Sequence, residues 1–343
     1  MPRSVGRALA LRRGQILAYR RAVQGLDDRL PSRPASLRQA AWAGLQDSMP
    51  RSALLSLHAR VAGITPSAWE DPSLVQVWGP RFSAYVVPRQ DVPIFSLGRF
   101  PANPNAGRRA EEIADRLDAF LLGRKMSASD IGRRLGIHPN ALRYAAPTGR
   151  VLMRWDGARQ PTVWTIPAPE MDIADARLEL ARRYLRLFGP TTAGAFARWA
   201  GIKPPMGRAA FDALGDSLLR VRTPIGEGWI LDADEPALRA PAERPGSTRL
   251  LPSGDTYFLL QGTDRGLLVP NVGRRSLLWT SRVWPGAVLV AGEVVGVWRR
   301  AGAVLTIESW RRLTRAERAS VEAEAASMPL PGIGGPIVVR WSD

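Results

Sequence analysis

Apolar side chains recur at helical spacing over residues 15–30, where Ile16, Leu17, Tyr19, Ala22, Val23 and Leu26 form one stripe and leave Arg20 and Arg21 on the wet side. Pro31 and Pro34 end that segment, and Leu37 starts the helix that leads to Gln46. A further apolar stretch, Leu54, Leu55, Leu57, Ala59 and Val61, predicts another helix, with Asp47, Ser48, Met49 and Pro50 as the break between the two. Ser48 stands where its hydroxyl would cap this helix just ahead of Pro50. Val75 and Val77, then Phe82, Ala84 and Val86, alternate around Gly79-Pro80 and predict a hairpin. Helix, helix, helix, hairpin is the order of a winged helix, and Arg81 and Tyr85 fall on or beside its wing.

The plan repeats. After a polar linker at 103–107, the segment RRAEEIADRLDAFLLGRK predicts an amphipathic helix, and Ser127 with Asp130 approximates a capping box. A short helix stopping at Gly136 and a second over Asn140 to Ala145 read as a helix-turn-helix. Two alternating strands in 151–167 turn at Asp156-Gly157 and carry Arg154 and Arg159. Residues 175–232 read as a third winged helix with a cap at Thr191 or Thr192, and 237–247 as a Pro/Arg linker. The stretch 248–313 reads as strand-rich, including LLPSGDTYFLLQG, RGLLVPN and LLWT with Gly/Pro/Asn breaks between strands, as a small curled sheet or barrel would, followed by a helix over Arg315 to Met328 and a last strand, IVVRW. The expected fold is α+β: tandem winged-helix domains at 1–102, 108–168 and 175–235, then a small C-terminal β-barrel-like domain at 248–343.

Composition narrows the chemistry. The chain has 343 residues and no cysteine, which removes disulfides, thiolate metal sites and a cysteine nucleophile. His58 and His138 are the only histidines, far apart, so zinc or triad catalysis is disfavoured. No apolar run reaches bilayer-spanning length and the start lacks a signal-peptide core, so the protein is expected in the cytoplasm. The net charge of +17 rests almost wholly on arginine and is uneven: +8 over 1–106, +5 over 107–166, zero over 167–246 and +4 over 247–343. A basic first half is what a polyanion-binding face requires.

Several segments, in order, resemble a known family, the bacterial winged-helix DNA glycosylases of interstrand-crosslink repair and azinomycin resistance. GLQDSMPRSALLSLHAR at 44–60 is similar to the family's GLQxQ or QxD segment and the helix after it, and RFSAY at 81–85 to its RxTxH strand. RYLRLFGPTT at 183–192, LLPSGDTYFLL at 250–260 and VVGVWRR at 294–300 complete the set. The resemblance implies cofactor-free hydrolysis of the N-glycosidic bond to an alkylated base, with two polar residues positioning water. Gln46 matches the first, and Ser48 stands in place of the second Gln or Asp. Asp47 occupies a usually apolar place, read as solvent-facing with an inward-turned base as the alternative, and Tyr85 replaces the family's histidine. The catalytic candidates are therefore Gln46, Asp47 and Ser48. The DNA-binding candidates are Arg51, Arg60, Arg81, Tyr85, Arg143, Arg154 and Arg159. No metal is expected, and the partner implied is double-stranded DNA, bound by a monomer at the nucleoid. A non-catalytic DNA-binding protein is the alternative.

Overall fold

The computed structural model describes residues 9–342 apart from Pro50, Ala158, Glu243, Arg244, Gln261 and Gly334. The chain opens with β1 (Leu9–Ala10), α1 (Arg13–Val23), α2 (Pro34–Ala41), β2 (Leu45–Gln46) and α3 (Ser52–Arg60), then the hairpin β3 (Leu74–Trp78) and β4 (Ala84–Pro88) and a short α4 (Val92–Leu97). Next come α5 (Pro104–Leu121), β5 (Met126–Ser127), α6 (Ala128–Leu135), β6 (Val151–Arg154) and β7 (Thr162–Thr165). Helices α7 (Ile173–Phe188), α8 (Ala193–Ala200) and α9 (Pro204–Leu214) lead into β8 (Leu218–Thr223), β9 (Gly226–Leu231) and α10 (Glu235–Arg239). The last part is β10 (Thr248–Leu251), α11 (Arg265–Leu268), α12 (Val272–Leu278), β11 (Gly286–Val290), β12 (Glu293–Ala301), β13 (Val304–Ser309), α13 (Arg315–Ala326) and β14 (Val338–Ser342). It is a mixed α+β fold, and among the described residues no helix is long and apolar enough to cross a membrane.

Three sheets organise these elements. The largest has six strands in the order β2-β4-β3-β6-β7-β5, so the two N-terminal hairpins merge into one sheet, joined where Gln76 meets Met153. The second, β1-β8-β9, pairs the start of the chain in parallel with β8. Helix α1 packs there, its Ile16 and Tyr19 buried with Val221, Ile230 and Leu238. The third, β10-β11-β12-β13-β14, is open, with β10 and β14 as its edges, so it does not close into the expected barrel.

Local chemistry explains where pattern and structure part. Asn103 to Gly107 is the first turn of α5 rather than a linker, because the Asn103 side chain accepts hydrogen bonds from the amides of Asn105 and Ala106. The helix expected at Asn140 to Ala145 is a 3-10 run, Pro139–Thr148, which starts at one proline and contains Pro147, whose missing N–H cannot join an α-helical ladder. The β6–β7 connection runs from residue 155 to 161, longer than a tight turn. RGLLVPN and LLWT, expected as strands, hold the short helix α11 and the end of helix α12, the second capped by Asn271. Such brief apolar runs carry no period that separates buried strand from buried helix. Arg20 and Arg21 are buried: Arg20 donates to the carbonyls of Phe188, Gly189 and Pro190, and Arg21 pairs with Asp27 at 2.7 Å.

Candidate active site

Strand β2 is the edge of the six-stranded sheet, Gln46 paired with Tyr85 of β4, and the pairing runs on as the Asp47 amide donates to Ala84 O at 2.8 Å. Alternation along this edge sends Leu45 and Asp47 inward, both fully buried, and leaves Gln46 and Ser48 part-exposed on the other side. The strand period thus separates the three candidate residues into a facing pair and a buried one.

The Gln46 amide is fixed by its neighbours. Its Oε1 accepts from Arg81 Nη2 at 3.2 Å and from the Tyr85 hydroxyl at 3.3 Å, and its Nε2 donates to Ser48 Oγ at 3.1 Å. Gly254 lies against that Nε2, where an added Cβ would stand 3.3 Å away, and its φ of 75° is a conformation side-chain-bearing residues rarely adopt, so the loop after β10 closes over the amide at a glycine. Arg81 has φ 56°, a left-handed conformation at the hairpin tip that turns its guanidinium back onto Gln46. Ser48 lines a cleft of about 270 Å³ with Trp78, Phe82, Arg143 and Trp155.

Asp47 makes the side-chain bond to the start of α3 expected of Ser48, although Arg51 holds the N-cap position, and it is not solvent-facing. Its Oδ1 accepts from the Ala53 amide at 3.0 Å and the Ser52 hydroxyl at 3.4 Å, while Oδ2 accepts from Gln76 Nε2 at 2.8 Å. Ser48 is instead drawn to Gln46, and Pro50, expected as the first helical residue, lies outside the described residues. Gln76 Oε1 in turn accepts from the Trp155 amide at 2.6 Å, so a continuous relay links α3, β3 and the end of β6. Burial pushes the Asp47 carboxyl up to about 7, opposed by the Ala53 amide, the Arg51 charge, Ser52 and Gln76.

The DNA-binding candidates divide. Arg51, Arg81, Arg143 and Arg154 surround the corner: Arg143 lies 5.8 Å from the Phe82 ring, and Arg51 and Arg154 lie over Trp69. Arg159 is exposed on the β6–β7 connection. Tyr85 is fully buried, its hydroxyl raised by burial to about 12, and touches Gln46 rather than solvent. Arg60 is buried too, with Nη1 and Nη2 on Asp255 at 2.7 and 2.9 Å and further bonds to Thr256 and Ser56 O, so its charge is turned to a carboxylate inside the protein rather than outward to a phosphate. Two participants escaped the sequence pattern. Gln76 alternates with Val75 and Val77 like a solvent-facing strand residue, and is buried because β6 adds to the far side of β3. Trp69 sits in GITPSAWEDPS, which reads as a loop with a short turn of helix and contains the 3-10 turn Pro66–Glu70; nothing in that pattern marks the indole as buried.

With this geometry in hand, the fold proves to be that of a DNA glycosylase of known structure. The Streptomyces sahachiroi DNA glycosylase AlkZ superposes with a TM-score of 0.77 at 20% identity, over 97% of this chain and 100% of that one. The model of the family described as DNA glycosylase AlkZ-like matches residues 40–329. The chain belongs to the AlkZ-like DNA glycosylase family. No curated sequence matches it.

Proposed function

We propose that this protein is a monofunctional DNA glycosylase that hydrolyses the N-glycosidic bond of alkylated bases, N7-alkylpurines or crosslinked bases, in duplex DNA. The observation that carries the reading is the Gln46 corner, where Arg81 and Tyr85 aim the amide at Ser48 beside an arginine-bearing cleft. An N7-alkylated purine is cationic and leaves readily, so the site needs to orient one water and support an oxocarbenium-like sugar. Having accepted the amide hydrogen, Ser48 Oγ keeps a lone pair that can accept a hydrogen bond from water and turn its oxygen toward the sugar. Asp47, sealed behind the corner, acts as a positioning residue and not as the base.

Three winged-helix units at 1–102, 108–168 and 175–235, with the β-rich unit at 248–343, would carry the duplex as a cytoplasmic monomer. Arg51, Arg81, Arg143, Arg154 and Arg159 face the phosphates. The test is release of free base from DNA bearing N7-alkylpurines or crosslinks. The parent protein is expected to leave abasic sites, and Gln46→Ala to slow release by about 10²-fold. No release by the parent, on any such substrate, leaves the second reading: a DNA-binding protein without catalysis. That reading draws on Ser48, a weaker acceptor than the Gln or Asp the family motif carries there.

A further inference from the structure

We propose that Arg51, Trp69 and Arg154 form a single phosphate-binding site beside Gln46, in which the indole holds two guanidiniums ready for one backbone phosphate of duplex DNA. This rests on the DNA-binding reading above and names the group that one part of that surface takes.

The three residues come from separate elements. Arg51 precedes α3 in a left-handed conformation, φ 67°; Trp69 lies on the 3-10 turn Pro66–Glu70; Arg154 is the last residue of β6. The guanidinium carbons of Arg51 and Arg154 stand 4.3 and 4.5 Å from the Trp69 ring centroid, and Arg154 Nη1 also donates to Trp69 O at 3.2 Å. Trp69 is buried and both arginines are half-buried. Two like charges are thus gathered on one aromatic platform where water screens them poorly.

Among the described residues neither arginine forms an ion pair, whereas Arg60, Arg150 and Arg183 each hold a carboxylate. Arg51 Nη1 is enclosed without any acceptor. Glu70, Asp47 and Asp156 act on Arg154 only through space, and burial followed by the charge of Arg51 lowers its proton affinity. A half-buried pair of cations on one ring without a paired anion is costly, and a phosphate, with oxygens matched to guanidinium forks, is the ligand that relieves it. The pair neighbours the α3 N-terminus, beside the Gln46–Ser48 edge, so a phosphate there would fix the sugar-phosphate chain against the corner.

The experiment is binding of an undamaged duplex over a series of salt concentrations. In Trp69→Leu the slope of log affinity against log salt is expected to become shallower by about one, as follows when the protein neutralises one phosphate fewer. Trp69→Phe, which keeps an aromatic face, retains most of the slope. In Arg51→Gln and Arg154→Gln, the second substitution is expected to cost much less after the first than alone, because the pair acts as a unit. Thermal melting accompanies each variant, and should Trp69→Leu fail to fold, the arginine pair decides. Parent-like slopes in folded Trp69→Leu and in the double arginine variant would overturn the site while leaving DNA binding intact. A parent protein that binds no duplex would overturn both the site and the functional reading beneath it.

Discussion

At the C-terminal end of α3, Asp255 receives two bonds from Arg60, one from the Ser56 hydroxyl and one from the Tyr257 amide, all between 2.7 and 2.9 Å. At the N-terminal end, Asp47 is as deeply buried but holds only neutral donors, and the cations near it, Arg51 and Arg154, stay outside pairing distance on Trp69. One helix therefore carries a neutralised carboxylate at one end and an uncompensated one at the other. The first arrangement ties α3 to the loop that closes over Gln46. The second keeps two arginines unpaired next to the candidate water-positioning residues, and stability is forgone there for charge directed outward.

The largest expected effect breaks the satisfied end. Arg60→Met leaves Asp255 buried without its cation and should cost about 3–5 kcal/mol in denaturant unfolding. It should also loosen Gly254 over Gln46, lowering base release in whatever fraction remains folded. A loss below about 1 kcal/mol would mean that the ion pair adds little and that the two ends of α3 do not differ as described.

A smaller effect comes from the relay at the other end. Gln76→Leu removes both a donor to Asp47 and the acceptor for the Trp155 amide, leaving a buried carboxylate oxygen unpaired at about 1–3 kcal/mol before relaxation and a part-buried amide unpaired at less. Because Trp155 borders the cleft that holds Ser48, kcat for base release should fall while duplex affinity stays close to the parent value. Affinity falling in step with kcat would assign Gln76 to general stability instead of to the corner.

The sequence disclosed the backbone of this design more readily than its polarity. Amphipathic helices such as α5 and α7, the strand pairs and the caps at Ser127 and Thr192 follow from periodicity and short-range hydrogen bonding and are present, with the start of α5 and the length of the β6–β7 connection the parts that differ. Gln46 and Ser48 were legible as a pair through the motif. What separated Asp47 from them was the edge pairing of β2 with β4, a strand far along the chain that alternation alone could not assign as its partner. The fates of Arg60 and Arg154 were equally hidden, since an arginine on an exposed face and one on a buried Asp255 look alike in a local window. Arg20 shows the same limit: its three carbonyl acceptors lie at 188–190.

The finest test addresses the charge of Asp47 itself. Burial raises its carboxyl from 3.8 to about 7, so folding favours the protonated form. The corresponding stability is complete below about pH 4 and is lost as pH climbs through about 7. In Asp47→Asn the new amide nitrogen faces Gln76 Nε2, donor against donor, and the variant should be less stable than the parent near about pH 5. That deficit should shrink toward about pH 8, where the parent alone carries a buried charge, with Arg51 and Arg154 still outside pairing distance. Adding Gln76→Glu reverses the pairing: the amide introduced in place of the Asp47 carboxylate would donate to one glutamate oxygen while the other still accepts from the Trp155 amide. The double variant is therefore expected to recover at least about 0.5 kcal/mol over the sum of the single changes. A deficit independent of pH, or no recovery in the double variant, would show that Asp47 is not the uncompensated carboxylate that sets the two ends of α3 apart.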